Sequence, residues 1–205
     1  MTFEVTDLTV GRGGEPLLRD VSFRLEPGAR VALVGPSGVG KTTLLRALAW
    51  LDDPLSGEVR LDGVTPASMG APRWRRRVLL VAQRPVFFGG AVREELARPF
   101  SYAAATGGLD EAAARARLER VGLGAKWDAP CAELSEGEAQ RVALVRALGI
   151  GADVLLLDEP TSALDEESAA AAEALLEGQT FVLVSHQRAQ RERLGATPVE
   201  LSRDA

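Results

Sequence analysis

The sequence predicts an α/β fold with a mostly parallel β-sheet, an antiparallel β-subdomain near the N-terminus and an inserted α-helical subdomain. Four short apolar runs carry this prediction, at residues 30–35, 77–82, 154–157 and 180–184. Such runs are typical of strands buried on both faces of a sheet. Stretches rich in helix formers separate them, and strands that alternate with helices favour a parallel sheet.

The antiparallel subdomain is predicted from the first part of the chain. Residues 3–10 alternate weakly between apolar and polar side chains, as a half-exposed strand does. Residues 11–16 predict a turn, and residues 21–25 predict a second alternating strand. Residues 56–63, which read SGEVRLDG, predict a β-hairpin with its turn at the last two positions.

Helices are predicted where good helix formers follow or separate these strands. Residues 41–50 form one such run, and residues 166–176 are rich in alanine. Helical periodicity is also present in residues 109–121 and 136–148. We therefore predict a single domain over residues 1–205, with the helical subdomain at approximately residues 88–148.

Composition excludes several classes of function. The chain has 46% hydrophobic residues and a net charge of −5, so its overall field does not attract nucleic acid. Cys131 is the only cysteine, which rules out an internal disulfide and a cysteine metal cage. Neither a signal peptide nor a run of about 18 apolar residues is present, so we expect a cytoplasmic protein. Of the 24 basic residues, only Lys41 and Lys126 are lysines.

A glycine-rich motif lies between a predicted buried strand and a predicted helix. Residues 35–42 read GPSGVGKT, which fits G-x-x-x-x-G-K-[ST]. Its glycines let backbone N–H groups surround phosphates, and the helix N-terminus adds favourable dipole charge. A chance match in an ordinary strand–turn–helix unit is the less favoured alternative. The predicted nucleotide-binding residues are Gly35, Pro36, Ser37, Gly38, Val39, Gly40, Lys41, Thr42 and Thr43, with Thr42 also a Mg²⁺ ligand.

Two carboxylates follow the apolar run at residues 154–157. In a doubly wound sheet, ligands bind beyond the carboxyl ends of the strands, where Asp158 and Glu159 are predicted to lie. Asp158 could hold Mg²⁺ through water, and Glu159 could act as the general base. Alternatively, the Asp-Glu-Pro sequence could simply begin the next helix, since acidic residues suit a helix N-terminus.

With these two motifs in order, the chain resembles the ABC ATPase family, and in particular the ATP-binding subunits of ABC transporters. The family signature is usually Leu-Ser-Gly-Gly-Gln, and residues 134–138 here read LSEGE. The resemblance implies that Ser135 and Gly137 bind the γ-phosphate of a nucleotide held by a partner subunit. Glu138, at the place of the usual glutamine, belongs to the same predicted nucleotide site.

The two glutamates of this signature depart from the family pattern. Glu136 replaces a glycine and Glu138 a glutamine, and carboxylates near a phosphate are unfavourable unless they point away. A purely structural alternative is an amphipathic helix capped by Ser135, with Glu138 completing a capping box.

The resemblance assigns roles to further positions. Gln83 resembles the Q-loop glutamine, which contacts Mg²⁺ and senses the transport domain. His186 is the only histidine, follows a predicted buried strand and resembles the switch histidine that contacts the γ-phosphate. The D-loop, which contacts the facing monomer, corresponds to Ser162, Ala163, Leu164 and Asp165.

Three stretches have two interpretations each. The family stacks adenine on an aromatic residue in the first turn, where this chain has Arg12; its guanidinium could stack instead, or it could be an ordinary exposed residue. Residues 73–77, RWRRR, could form a nucleic-acid patch, but a helix end that leads into the Q-loop strand is favoured. Phe87 and Phe88 could border a groove for a membrane subunit's coupling helix or belong to the helical core.

The resemblance implies an ATPase that works as a dimer of two identical chains around two ATP–Mg²⁺. It further implies a separate integral-membrane permease subunit, a location at the cytoplasmic face of the membrane, and no nucleic-acid partner. The compact form is similar to ATP-binding subunits of proposed metal or iron exporters. The alternative is a soluble ABC ATPase of a cytosolic assembly, such as iron–sulfur cluster assembly.

Overall fold

A computed structural model, which describes residues 1–202, confirms the predicted α/β fold. The last three residues of the predicted domain, 203–205, lie outside the described residues. Within the described chain the strands are β1 (Phe3–Arg12), β2 (Glu15–Leu25), β3 (Arg30–Val34), β4 (Ser56–Leu61), β5 (Val78–Val81), β6 (Val154–Asp158), β7 (Phe181–Val184) and β8 (Thr197–Glu200). The helices are α1 (Lys41–Leu48), α2 (Pro66–Met69), α3 (Ala71–Arg77), α4 (Val92–Ala97), α5 (Glu111–Arg120), α6 (Glu136–Ile150), α7 (Glu166–Ala174) and α8 (Arg188–Arg193).

The antiparallel sheet has the strand order β2-β1-β4. One sequence prediction is wrong here. The turn predicted for residues 11–16 contains only Gly13 and Gly14, a pair that favours a tight hairpin turn, so both strands are longer than expected. The turn predicted at Asp62-Gly63 is present, with Leu61 and Val64 joined by an antiparallel bridge around it. The strand before this turn, β4, also pairs with β1 in a register that places Leu61 opposite Phe3 in the core.

The parallel sheet has the strand order β5-β6-β7-β3-β8. β7 pairs in parallel with both β3 and β6, and every residue of β6 is buried, as its apolar sequence predicts. β8 was not predicted because its sequence is short, mostly exposed and contains Pro198. At the edge of a sheet a proline is tolerated, since one side of the strand needs no ladder hydrogen bonds.

The described chain divides into two compact units. Within the described residues, the sheet unit comprises residues 1–80, 153–159 and 178–202. Its core includes the ring pair Phe3–Trp74, with centroids 6.3 Å apart, and the Trp74 indole donates to the Leu48 carbonyl oxygen. Because Trp74 is fully buried in α3, directly before β5, the RWRRR stretch presents no aromatic residue for nucleic-acid binding.

The helical unit comprises residues 81–152 and 160–177. It contains the predicted helical subdomain of residues 88–148 and adds the segment with α7. α4 and α5 both pack against α6, which is the longest helix of the described residues. None of the helices within residues 1–202 has the length and apolarity that a bilayer-spanning helix needs.

Candidate functional site

The glycine-rich loop joins β3 to α1, as predicted. Gly40 precedes the first helical residue with a φ of 118°, a conformation that side-chain-bearing residues rarely adopt. Lys41 begins the helix, and its Nζ donates to the carbonyl oxygens of Gly35 and Pro36, each at 2.8 Å. The side chain is largely buried, and this burial lowers the Lys41 pKa, while the nearby carboxylates oppose the shift.

A hydroxyl and a carboxylate meet next to this loop. The Thr42 Oγ1 donates to Asp158 Oδ2 at 2.9 Å, which connects the first turn of α1 with the end of β6. Both groups offer hard oxygen atoms, which Mg²⁺ prefers, and Mg²⁺ sites usually take only one or two protein ligands besides phosphates and waters. The pair therefore fits a nucleotide-bound Mg²⁺. Within residues 1–202, no group of three or more His, Cys, Asp or Glu side chains is placed to hold a metal ion.

Asp158 is buried, and this environment has a consequence for stability. Burial raises the Asp158 pKa above its ordinary value of 3.8, and the neighbouring Glu159 adds to the shift, whereas the Thr42 hydrogen bond opposes it. Because the folded state then binds the proton more tightly than the unfolded state, stability falls as pH rises through the interval between the two pKa values.

We expect Asp158→Asn to stabilise the nucleotide-free protein. Asparagine keeps an oxygen that can accept from Thr42 and removes the buried charge, so the melting temperature should rise by about 2–4 °C at pH 8, equivalent to about 1 kcal/mol. The gain should shrink as pH falls toward the raised pKa of Asp158 in the folded state. Thermal unfolding in EDTA at several pH values measures it, and a melting temperature that drops at pH 8 would contradict the assignment of Asp158 as a destabilising buried charge.

Glu159 and His186 form a second pair at the same edge of the sheet. His186 Nε2 lies 3.1 Å from Glu159 Oε1, within hydrogen-bonding distance. Glu159 has a φ of 48°, which is unusual for a residue with a side chain and typical of functional sites. The loop after β7 is held by Arg191, which donates to the Ser185 carbonyl oxygen at 2.9 Å.

The signature begins α6 in the helical unit. Ser135 caps the helix, and its N–H donates to Glu138 Oε2 at 2.9 Å, while the Glu138 N–H donates to the Ser135 Oγ at 3.3 Å. The capping box proposed as a structural alternative is therefore present. Lys126 Nζ lies 3.0 Å from the other carboxylate oxygen, and Glu136 is exposed to solvent.

Gln140 connects the predicted loops of the helical unit, and sequence reasoning missed its role. It is 2% exposed, and its Nε2 donates to the Gln83 carbonyl oxygen at 3.0 Å and to the Ser162 Oγ at 3.1 Å. Its Oε1 accepts from the Ala163 N–H at 3.1 Å. One side chain therefore holds the Q-loop, the D-loop and the signature helix together. The available sequence signal was a polar glutamine close to the apolar residues that α6 buries.

Gly137 shows how closely the D-loop packs on the signature. A Cβ added to this glycine would lie 2.9 Å from the Ala163 carbonyl oxygen and 2.9 Å from Leu164 Cδ2. Asp165 ends the D-loop by capping α7, where its carboxylate accepts from the Ser168 N–H at 2.8 Å. The Ser168 hydrogen bonds lower the Asp165 pKa.

The remaining predicted positions lie on the surface. Arg12 is exposed beside the turn between β1 and β2. Phe88 is 71% exposed, with the Arg98 guanidinium 5.1 Å from its ring centre, so of its two open interpretations the helical core is excluded. Phe87 is half-buried beneath Arg146, which lies 5.1 Å from that ring centre.

The predicted site residues therefore lie in two clusters, one in each unit. The carboxyl ends of the neighbouring strands β6, β7 and β3 bring together Lys41, Thr42, Asp158, Glu159 and His186. The helical unit brings together Gln83, Ser135, Gly137, Glu138, Ser162, Ala163, Leu164 and Asp165.

A glycine-rich phosphate loop at the carboxyl edge of a parallel sheet defines a P-loop nucleotide-binding domain. Residues 18–162 match the family model described as ABC transporter. The chain belongs to the ABC transporter family and is an ATP-binding, ATP-hydrolysing domain of that family.

Relatives agree with this assignment. The chain is 43% identical over 197 residues to the mycobactin import ATP-binding/permease protein IrtB of Mycolicibacterium smegmatis, and 40% identical over 190 residues to protein STAR1 of Oryza sativa subsp. japonica. It is 38% identical over 194 residues to an ATP-dependent lipid A-core flippase of Burkholderia thailandensis. These matches cover 89%, 88% and 90% of this chain but only 33%, 54% and 32% of the relatives.

Two solved structures have the same fold. An ATP-binding subunit of an ABC transporter superposes with a TM-score of 0.88 at 26% identity, over 99% of this chain and 87% of the other. A bacterial Atm1-family ABC exporter with ATP bound gives a TM-score of 0.85 at 25% identity, over 98% of this chain and 37% of the exporter.

Proposed function

We propose that this chain hydrolyses ATP to drive a membrane-spanning permease, and that it acts as a dimer with two ATP–Mg²⁺ at composite sites. The observation that carries this proposal is the paired arrangement of Thr42 with Asp158 and of Glu159 with His186 beside the phosphate loop. Relatives named as a combined ATP-binding/permease protein and as an ATP-dependent flippase support the transport role.

In this proposal the sheet unit binds the nucleotide and performs the chemistry. Lys41 exchanges its two loop carbonyl partners for phosphate oxygens, which is the usual role of a P-loop lysine. Thr42 and Asp158 would hold Mg²⁺, which neutralises phosphate charge when bound. Glu159 orients the attacking water, and His186 holds the carboxylate in place and reaches the γ-phosphate. Arg12 would lie at the adenine end.

The helical unit would complete the site of a second copy. Ser135 and Gly137 lie at the start of α6, where backbone N–H groups and the helix dipole favour an anion such as the γ-phosphate. The D-loop would contact the facing copy, and Gln83 would report the state of the permease to the Mg²⁺ site.

The permease would be a separate subunit that holds this chain at the cytoplasmic face of the membrane. Val86 and Phe88 of the helical unit are 72% and 71% exposed, so each is an apolar side chain that a membrane subunit could cover. An assembly of soluble proteins, such as an iron–sulfur cluster assembly, would need no contact with a membrane protein.

Affinity capture of the proteins that bind this chain tests the proposal. Tagged Glu159→Gln, loaded with ATP–Mg²⁺, should retain a multi-span membrane protein in stoichiometric amount from detergent-solubilised membranes of the source cells. The matched control is Glu159→Gln with Val86→Ser and Phe88→Ser, which should lose this partner and keep ATP binding. Capture of soluble partners alone, with nothing from the membrane fraction, would overturn the transporter proposal in favour of a cytosolic assembly.

A further inference from the structure

The Glu138 carboxylate binds two partners: Ser135, at the start of the signature helix, and Lys126. Its Oε2 accepts from both the N–H and the hydroxyl of Ser135, at 2.9 and 3.0 Å. Its Oε1 lies 3.0 Å from Lys126 Nζ. The carboxylate is 19% exposed and the lysine 37%, so this ion pair is better shielded than an ordinary surface pair.

Lys126 is held in a rigid segment. It ends a short 3-10 turn, Gly124–Lys126; its N–H donates to the Leu123 carbonyl oxygen and its own carbonyl accepts from Ala129. The next residue, Trp127, is 5% exposed and has the Arg115 guanidinium 3.9 Å from its ring centre. The lysine therefore approaches Glu138 from a backbone that packing fixes in place.

The charges around Ser135 require such a cation. Glu133, Glu136 and Glu138 all lie within three residues of Ser135, and phosphate that reaches this helix end carries negative charge itself. The dipole of the helix favours an anion there, but uncompensated carboxylates oppose it. The Ser135 hydrogen bonds and the Lys126 contact also lower the Glu138 pKa, so this side chain is ionised at neutral pH.

We propose that Lys126 is a positioning residue of the composite ATP site: it holds Glu138 against Ser135 and compensates its charge, so that this signature can accept the γ-phosphate of a nucleotide bound to a second copy. The inference rests on the dimeric function proposed above. It names the residue that allows a signature with a glutamate to bind the γ-phosphate. It predicts a dependence between two side chains, because a neutral glutamine at position 138 can keep an oxygen acceptor for the Ser135 N–H without needing a cation.

The test uses ATP-dependent dimerisation in the Glu159→Gln background, measured by sedimentation over a range of ATP–Mg²⁺ concentrations. Lys126→Met should raise the ATP concentration for half-maximal dimerisation about tenfold, as one uncompensated charge near phosphate would. Adding Glu138→Gln to Lys126→Met should restore it to within about twofold. Lys126→Arg, which keeps the charge, should behave like the parent.

Two further measurements separate positioning from folding. Arg120→Met removes the same charge elsewhere in the helical unit, where Arg120 donates to the Ala174 carbonyl oxygen, and it should leave dimerisation unchanged. Binding of a fluorescent ATP analogue to the monomer should be equal in the parent and in Lys126→Met, because the phosphate loop belongs to the sheet unit.

The outcomes distinguish the two proposals. If the Glu159→Gln parent itself does not dimerise with ATP, the dimeric function fails. If the parent dimerises and Lys126→Met needs no more ATP, or if Glu138→Gln does not rescue Lys126→Met, the role of Lys126 is overturned while the dimeric function stands.

Discussion

Replacing Glu159 with glutamine is expected to lower the rate of ATP hydrolysis by about 10²–10⁴-fold and to leave ATP binding unchanged. Glutamine keeps an oxygen at the place of Oε1, which His186 Nε2 approaches at 3.1 Å, but its amide cannot accept a proton from the attacking water. The contacts of Lys41 with its loop are not altered, so nucleotide affinity should be preserved.

Phosphate release measures the first expectation, and binding of a fluorescent ATP analogue measures the second. The variant should also accumulate as a dimer with ATP–Mg²⁺, because hydrolysis is the step that reopens the closed state. Glu58→Gln, on an exposed carboxylate paired with Arg60, is the matched control and should hydrolyse ATP normally. Undiminished turnover in Glu159→Gln would remove Glu159 from the role of general base.

Gln140→Leu is expected to reduce the turnover number by about tenfold and the free energy of unfolding by about 1–3 kcal/mol. Leucine has a similar volume, but it offers no partner to the Gln83 carbonyl oxygen or to the Ala163 N–H. The Q-loop and the D-loop would therefore lose their fixed positions relative to the signature helix. The ATP affinity of the monomer should not change, because no atom of the phosphate loop is involved.

A second substitution on α6 separates loop positioning from stability. Val142→Ala removes buried volume from a fully buried position and touches no side-chain hydrogen bond, so it should destabilise the protein similarly and keep its turnover number. Both variants would be assayed well below their melting temperatures. Equal turnover in Gln140→Leu and Val142→Ala would show that Gln140 has a structural role only.

Local patterns were sufficient for the features that depend on neighbouring residues. The buried strand β6 and the phosphate loop follow from a continuous apolar run and from a glycine-lysine-threonine motif. The capping box at Ser135 was also readable, since its two members are three residues apart. In each case the sequence interval that carries the information is shorter than ten residues.

Features that depend on residues far apart in the sequence could not be predicted from local patterns. Gln140 acquires its meaning from Gln83, which lies 57 positions earlier, and β4 pairs with β1 across the whole length of β2 and β3. Lys126 is an unremarkable lysine until the fold places it beside Glu138. Tertiary packing determines such contacts, and a single sequence contains no direct record of them.

The scarcity of lysine gives this protein an unusual chemical property. An amine-reactive reagent has only the side chains of Lys41 and Lys126, besides the terminal amine, to modify. Lys41 is 7% exposed, whereas the Lys126 side chain is 37% exposed, so of the two lysines Lys126 should be acylated faster in the free chain. Its rate of modification, followed by mass spectrometry, would therefore report on the surroundings of the signature without any engineered label.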